Sequence, residues 1–504
     1  MPKFPLFLTL IAAAIAAWMW STTHVMRAIT VMALLPLYLI LMAFWWALQK
    51  KSGQLKRLAV VGLCLATAFL LFRYEGSSDG SAMPSLVFRW YKRPTLAPPP
   101  PQGTTLKDET PPPGVADMPR FMGPAGDGNL PEPTWHTDWQ AHPPREVWRQ
   151  PVGMGWSGFA VVGRRAITQE QREDQECVTC YDIATGSLLW SHADKALFEE
   201  GMGGGGPRAT PTVDVAGGLV YTLGGTGLLN CLDLKTGALK WMRDILKETA
   251  SPSLKWGKSS SPLLVGSLVV CSAGDSGPSL IAFQRGTGAV AWKAGTDGAN
   301  YSSPVLMKLA GREQIVTVNS ESVSAHDPAD GKPLWTYPWL GKFPKVCQPV
   351  AAGPDRLLIT ASYGMKSRLL EIKSGTSTDG TLQCVEIWSS SVPRTKFSSP
   401  SIVGGHAYAM DEGTLACVDM TNGERVWREG RYGFGQHVRV GNDWLLIQTE
   451  KGPVVLVKAT PEKLDEVSRL DALHSKTWNP PTLAGRWLLL RNDTEMVCYE
   501  LPAK

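Results

Sequence analysis

The stretch Cys180-Tyr-Asp-Ile-Ala-Thr-Gly-Ser-Leu-Leu-Trp190 recurs along the chain, and this recurrence decides the fold. A second copy reads Cys231-Leu-Asp-Leu-Lys-Thr-Gly-Ala-Leu-Lys-Trp241, and diverged copies span residues 282–292, 325–335 and 417–427. In each copy an alternating strand leads into a tight turn, where glycine tolerates a positive φ, and a second strand begins with a large apolar side chain. The pattern predicts a repeated β-hairpin, with each tryptophan packed between neighbouring sheets.

The spacing of the tryptophans indicates four-stranded blades. The repeat anchors, which lie 39 to 53 residues apart, are Trp148, Trp190, Trp241, Trp292, Trp335, Trp388 and Trp427, with Leu470 in the eighth place. This spacing matches the period of a propeller blade. The last copy, Cys498-Tyr-Glu-Leu, ends before its tryptophan strand, whereas Trp148 lacks the strands that should precede it. We therefore predict an all-β, eight-bladed propeller in which the strand of Trp148 completes the blade of Cys498.

A second motif, a small polar residue followed by proline, opens the first strand of most repeats, as in Ser260-Ser-Pro-Leu-Leu. The first strand of a blade lines the channel, so we expect these residues to surround one mouth, where five nearby cations could attract an acidic partner or a small anion. The alternative is that these cations are solvated loop residues with no common target. The candidate binding residues are Arg208, Lys258, Ser261, Ser303, Lys345, Gln348, Lys396, Ser399, Lys476 and Asn479.

With these repeats, residues 119–504 resemble the PQQ-like (pyrroloquinoline-quinone repeat) propellers of the quinoprotein alcohol dehydrogenase-like superfamily. The opening Arg120-Phe-Met-Gly-Pro-Ala-Gly-Asp-Gly is similar to the entry segment of membrane-linked or secreted members of that group. The architecture also resembles the propeller lipoprotein of the outer-membrane β-barrel assembly machinery. The resemblance implies the propeller fold, but a fold does not determine a function.

The same resemblance tells us which residues a dehydrogenase would need. In quinoprotein dehydrogenases the cofactor lies between a tryptophan and two adjacent cysteines, a Glu and an Asn hold calcium, and an Asp is the base. None of the nine cysteines here is adjacent to another, and Cys177 and Cys180 face opposite sides of one predicted strand. Cys180, Cys231, Cys417 and Cys498 occupy the same position of four repeats, so we predict that they are small, buried core residues, and we assign no catalytic residue, metal site or cofactor. A PQQ-dependent oxidoreductase with calcium and an altered pocket remains the alternative.

Residues 1–75 contain three apolar runs, 4–20, 29–48 and 58–72, which predict about three transmembrane helices. The first run could instead be a cleaved signal peptide, since Lys3 precedes it. The loop 49–57 carries four Lys and Arg residues, so the positive-inside rule places this loop in the cytoplasm. With three spans, everything after Tyr74 is then expected on the periplasmic side of the inner membrane. Two spans instead of three would invert this orientation.

The Pro-rich residues 76–118 predict an extended linker between the membrane anchor and the propeller. The chain after residue 75 contains 43 Lys and Arg and 44 Asp and Glu, and this balanced charge argues against a nucleic-acid partner. We therefore expect a multi-pass membrane protein whose periplasmic propeller is a scaffold that binds an envelope protein or a peptide. The alternatives are the quinoprotein-like oxidoreductase and a sensor of a small periplasmic ligand.

Overall fold

The computed structural model describes residue 9 and residues 12–15, 35–48, 53–93, 95–375 and 381–504. The chain forms two compact units. The first contains Met1–Pro94 and Glu199–Gly204, and the second contains Thr95–Phe198 and Gly205–Lys504. The second unit holds the repeats.

The described part of the first unit includes two apolar helices and a hairpin. Helix α1 spans Leu35–Leu48 and α2 spans Gln54–Leu71, and they are followed by β1 (Phe72–Ser77) and β2 (Pro84–Phe88). Among the described residues, α2 is the one helix long and apolar enough to cross a bilayer. The predicted run 4–20 falls largely outside the described residues, and α1, within the run 29–48, has only 14 residues. Three spanning helices are therefore not confirmed.

The described residues of the second unit form eight sheets whose blade strands pair in antiparallel fashion, which confirms the predicted eight-bladed propeller. Two strands precede the first complete blade, β3 (Asn129–Leu130) and β4 (Arg145–Pro151). Blade 1 contains β5 (Ala160–Val162), β6 (Arg165–Arg172), β7 (Gln175–Asp182) and β8 (Leu188–Asp194). Blade 2 contains β9 (Thr212–Asp214), β10 (Leu219–Leu223), β11 (Leu228–Asp233) and β12 (Leu239–Asp244). Blade 3 contains β13 (Leu263–Val265), β14 (Leu268–Ser272), β15 (Leu280–Gln284) and β16 (Val290–Ala294). A short helix, α3 (Ile245–Thr249), follows blade 2.

The remaining blades keep the same order. Blade 4 contains β17 (Val305–Leu309), β18 (Arg312–Val318), β19 (Ser322–His326) and β20 (Pro333–Pro338). Blade 5 contains β21 (Val350–Ala351), β22 (Arg356–Ile359), β23 (Ser367–Ser374) and β24 (Leu382–Ser390). Blade 6 contains β25 (Ser401–Val403), β26 (His406–Asp411), β27 (Thr414–Asp419) and β28 (Arg425–Arg431). Blade 7 contains β29 (Gln436–Val440), β30 (Trp444–Gln448), β31 (Val454–Lys458) and β32 (Asp465–Leu470), and blade 8 contains β33 (Thr482–Ala484), β34 (Trp487–Arg491) and β35 (Glu495–Glu500).

Blade 8 takes its outermost strand from the N-terminal side. Strand β4 pairs with β35 in antiparallel register, with Trp148 opposite Cys498. This is the closure that the incomplete end repeats predict. Strand β3 adds to blade 7 in parallel beside β29, so that sheet has five strands.

Six of the seven repeat tryptophans pack against a described turn of the next blade, whereas the indole of Trp335 donates to Gln314 of its own blade at 2.5 Å. The indole of Trp190 donates to the carbonyl of Leu234 at 3.0 Å, and Trp148, Trp241, Trp388 and Trp427 make the equivalent bond. At Gly237, φ is +70° and a Cβ would lie 2.4 Å from the Trp190 ring. The Thr-Gly turn therefore needs glycine both for its backbone conformation and for the tryptophan of its neighbour.

The N-terminal side of the second unit runs along the propeller. Residues 102–104 bond to β8, where the amide of Gly103 donates to the carbonyl of Leu189 at 3.0 Å. The segment 114–130 then follows the far ends of the inner strands, since Ala116 bonds to Ala484 at the end of β33, and Met118 pairs with Val161 in β5. Within the predicted linker, residues 95–118 therefore lie against the propeller.

Candidate channel-mouth site

The small polar residues that begin the inner strands form a belt of hydrogen bonds between blades. The amide of Thr210 donates to the Ser261 hydroxyl at 3.0 Å, and the amide of Ser261 donates to the Ser303 hydroxyl at 2.9 Å. The amide of Gln348 donates in the same way to Ser399 at 2.9 Å. We call these five residues the polar belt, and the end of the channel that they surround the strand-start mouth. Each hydroxyl satisfies a backbone N–H of the preceding blade, so the belt holds neighbouring blades together.

Asn479 closes this arrangement at the junction of blades 8 and 1. Its side-chain amide donates to the carbonyl of Ser157 at 2.8 Å and to that of Gly155 at 3.2 Å. Ser261, Ser303 and Gln348 also line a shallow, open depression, whose other wall includes Arg120 and Phe121. The structure thus brings the predicted small polar residues to the channel, where most of their polar atoms are used between blades.

Two of the predicted cations are buried and hold carbonyl groups. Lys258 is fully buried, and its ammonium donates to the Ser272 hydroxyl at 3.0 Å and to the carbonyl of Ala273. Lys345 is also fully buried, and it donates to the carbonyl of Gly341 at 2.6 Å and to that of Ser320. Burial lowers the pKa of each of these lysines to about 8, because an apolar environment disfavours the charged form. Neither ammonium faces solvent, so neither can contact a ligand at the mouth directly.

The other three predicted cations lie over aromatic rings. The guanidinium of Arg208 is 4.5 Å from the centre of the Phe198 ring. The ammonium of Lys396 lies 4.7 Å from the Phe434 ring and 5.0 Å from the Tyr363 ring. Such contacts between a cation and a π face stabilise the positive charge.

Four aromatic residues form an arc at the strand-start mouth that was not predicted from the sequence: Trp156, Trp478, Phe397 and Phe434. Trp156 and Trp478 lie 4.9 Å apart, Trp478 lies 4.9 Å from Phe397, and Phe397 lies 6.2 Å from Phe434. Lys476 lies 4.5 Å from Trp478 and 5.3 Å from Trp156. A signal for this aromatic arc existed in the sequence, because each ring stands one or two residues before the position that opens an inner strand.

Beside the arc, a loop after β20 exposes apolar side chains. In Leu340-Gly-Lys-Phe343, the leucine is 73% exposed and the phenylalanine 48% exposed. The loop is nevertheless held in place, because Lys345 binds the carbonyl of Gly341, and the side-chain amide of Asn300 donates to the carbonyl of Phe343 at 3.2 Å. The Phe343 ring also stacks on Tyr363 at 6.0 Å. We call residues 340–343 the mouth loop.

A buried ionic cluster joins blades 8 and 1. Arg491 is fully buried and donates to the carbonyls of Gln169 at 2.7 Å and of Gly153 at 2.9 Å. Glu170 is fully buried as well and forms an ion pair with Arg172 at 3.0 Å. Burial alone would raise the pKa of Glu170, but the charges of Arg172 and Arg491 outweigh it and lower that pKa overall. The carboxylate is therefore committed to the closure of the ring.

The residues present do not fit a calcium and pyrroloquinoline quinone site. Within the described ranges, no group of three or more His, Cys, Asp or Glu side chains converges as metal ligands would. Buried carboxylates are already committed: Glu170 to Arg172, Asp411 to Arg394 and Arg428, and Glu450 to the Trp478 indole. All nine cysteines lie in described ranges and are free thiols, and Cys180, Cys231, Cys417 and Cys498 are buried opposite tryptophans of the repeat, as predicted.

Solved structures share this architecture at low sequence identity. BamB from Moraxella catarrhalis is 15% identical, with 71% of this chain and all of that chain covered and a TM-score of 0.51. The quinohemoprotein alcohol dehydrogenase ADHIIG from Pseudomonas putida HK5 is 12% identical, with 78% and 81% covered and a TM-score of 0.57. That from Comamonas testosteroni is also 12% identical, with 77% and 81% covered and a TM-score of 0.58. At these identities the likeness shows the fold alone.

The sequence itself gives a family. No curated protein shows significant sequence similarity to the chain. The family model of outer membrane protein assembly factor BamB, which is built on the PQQ-like repeat, matches residues 173–429. This match spans just over half of the 504 residues, so the chain belongs to this PQQ-like repeat family, whose description is outer membrane protein assembly factor BamB.

Proposed function

We propose that this protein is a membrane-anchored scaffold of the cell envelope whose propeller binds another protein, or a peptide, at the strand-start mouth. The observation that carries the proposal is the mouth loop, where Leu340 and Phe343 are exposed on a backbone that buried groups hold in place. Exposed apolar side chains on a preorganised loop lose little conformational entropy when they bind. Lys342 between them adds an exposed positive charge.

The anchor in this proposal is the N-terminal unit. Helix α2 has 18 residues, enough to cross about 27 Å, and its side chains are almost all exposed in the unit. The cations of the loop 49–57 favour a cytoplasmic location for that loop, and hence a periplasmic propeller on the inner membrane. The BamB family relationship is consistent with an envelope role.

A quinoprotein-like oxidoreductase is not favoured by any observation at the channel. The fold is shared with quinohemoprotein alcohol dehydrogenases, but the buried carboxylates of Glu170, Asp411 and Glu450 are already engaged in ion pairs or hydrogen bonds within the propeller. A fold shared without the site residues does not transfer an activity.

Photo-crosslinking in cells tests the binding surface directly. The full-length chain would carry p-benzoylphenylalanine in place of Leu340, and a matched variant would carry it in place of Val215. Val215 is 49% exposed and lies in the turn between β9 and β10, at the other end of the inner strands. We expect a discrete protein adduct from position 340 and none from 215. Equal labelling from both positions, or no adduct from 340, would contradict the proposed binding surface.

A further inference from the structure

The hairpin of β1 and β2 has one face composed of large apolar side chains. Its register places Phe72 opposite Phe88 and Tyr74 opposite Leu86, and directly opposed residues share a face. Phe88 stacks on Phe72 at 4.8 Å and on Trp90 at 5.4 Å. This face is exposed: Leu86 is 64% exposed and Trp90 is 66% exposed. A two-stranded hairpin with an open aromatic face is marginal in water, so this face calls for a partner.

The hairpin is continuous with α2. Strand β1 begins at Phe72, directly after the last helical residue, and the amide of Arg89 donates to the carbonyl of Leu71 at 2.8 Å. The side chain of Arg89 lies 4.6 Å from the Phe69 ring and donates to the carbonyl of Phe69 at 2.7 Å. The aromatic face therefore starts where the bilayer-length helix ends, in the position of the aromatic belt of a membrane interface.

The hairpin segment itself carries more cations than carboxylates, although Arg73 is paired with Glu75 at 3.6 Å. Residues 72–93 carry four cations, Arg73, Arg89, Lys92 and Arg93, against two carboxylates, Glu75 and Asp79. Asp79 lies at the far tip of the hairpin, where its carboxylate accepts from the amides of Ser81 and Met83. The cations flank the aromatic end, with Arg73 donating to the carbonyl of Tyr91 at 3.1 Å. Arginine beside interfacial aromatic rings suits the phosphates of anionic lipids.

We infer that the hairpin lies in the headgroup layer of the membrane, with its aromatic face toward the acyl chains and its cations on anionic phospholipid phosphates. The inference rests on the proposed anchoring by α2 and adds a second, lipid-binding element to it. An amphipathic face and a basic cluster act together, because apolar burial and electrostatic attraction contribute separately to binding at the interface. The hairpin fixes where the chain leaves the bilayer.

Site-specific crosslinking to lipid tests this inference. The full chain would be reconstituted in nanodiscs of phosphatidylcholine with 30% phosphatidylglycerol, with p-benzoylphenylalanine in place of Leu86, or of Trp90 as a second position on the same face. The neighbouring Val87, on the opposite face of β2, is the matched control, and Leu63 in α2 reports on the anchor. We expect lipid adducts from positions 63, 86 and 90, and several-fold fewer from 87.

The Leu63 reference separates the two proposals. Adducts from 63 with equal yields from 86 and 87 would overturn the interfacial hairpin and leave the anchor in place. No adduct from 63 would overturn both. A second measurement tests the charges: replacing Lys92→Gln and Arg93→Gln together should lower the phosphatidylglycerol retained by the purified chain by roughly an order of magnitude. Unchanged retention would contradict the role of the cations.

Discussion

Lys258 and Lys345 occupy the same position of two repeats, yet they serve different parts of the propeller. Each lies three residues before the small polar residue of its inner strand, each is fully buried, and burial lowers the pKa of each to about 8. Lys258 holds only interior groups, Ser272 and the carbonyl of Ala273. Lys345 holds the carbonyl of Gly341, beneath the exposed mouth loop. One repeat position can thus fix the fold in one blade and present a surface in another.

The largest expected effect comes from removing Lys258. In Lys258→Ala a fully buried side chain is lost, which leaves a cavity and two acceptors without their donor, so we expect a loss of about 3 kcal/mol in the free energy of unfolding. Denaturant unfolding of the full-length chain measures this loss. Lys258→Met, which keeps most of the volume and removes a buried charge, is the control and should lose clearly less. Equal losses would mean that the charge rather than the packing stabilises this blade.

The difference between the two lysines predicts a split between binding and stability. Lys345→Met releases the carbonyl of Gly341 and so loosens the mouth loop, while the carbonyl can still bond to water near the surface. We expect the crosslink from position 340 to fall several-fold, with a change in unfolding free energy of at most about 1 kcal/mol. Lys258→Met should leave that crosslink unchanged. If both variants crosslink like the parent, the two lysines are equivalent and the mouth loop does not depend on Lys345.

The pH dependence of stability provides a smaller test of the buried charge. Because the pKa of Lys258 is lowered in the folded state to about 8, the unfolded chain, with a pKa near 10.5, binds more protons between these values. The charged lysine therefore costs stability below pH 8, and this cost is relieved as the pH rises from about 8 to 10.5. We expect the stability of the parent relative to Lys258→Met to increase over this window in paired denaturant titrations. A flat difference would contradict the lowered pKa.

The fold could be predicted from the sequence because its determinants are local. The Thr-Gly turn and the tryptophan anchor lie within eleven residues, and the unmatched ends at Trp148 and Cys498 indicated the closure. The hairpin after α2 was missed, because its first strand begins at the last residue of an apolar run and its second strand lies in a segment typical of linkers.

The candidate site was predicted only in its position around the axis. The repeat shows that Lys258, Lys345 and Lys396 occupy equivalent positions in their blades. How deeply each lysine is buried depends on side chains from neighbouring blades, which sequence spacing does not reveal. The belt serines were expected to face a ligand, yet their hydroxyls accept backbone amides from the adjacent blade. The mouth loop was not predicted because its conformation depends on hydrogen bonds from Lys345 and Asn300, which are distant from each other in sequence.

The smallest expected effect concerns the cofactor of the dehydrogenases that share this fold. Glu170, Asp411 and Glu450 are each bound to donors of the propeller, so a calcium ion could recruit one of them only by breaking an existing ion pair or hydrogen bond. Pyrroloquinoline quinone with Ca²⁺ should therefore leave the Tm of the full-length chain unchanged, within about 1 °C, and the absorbance spectrum of the quinone unperturbed. A ligand that binds the folded state must raise Tm by mass action. A calcium-dependent rise of several degrees would show that the channel reorganises around a cofactor, and the mouth would then have to be regarded as an active site rather than a docking surface.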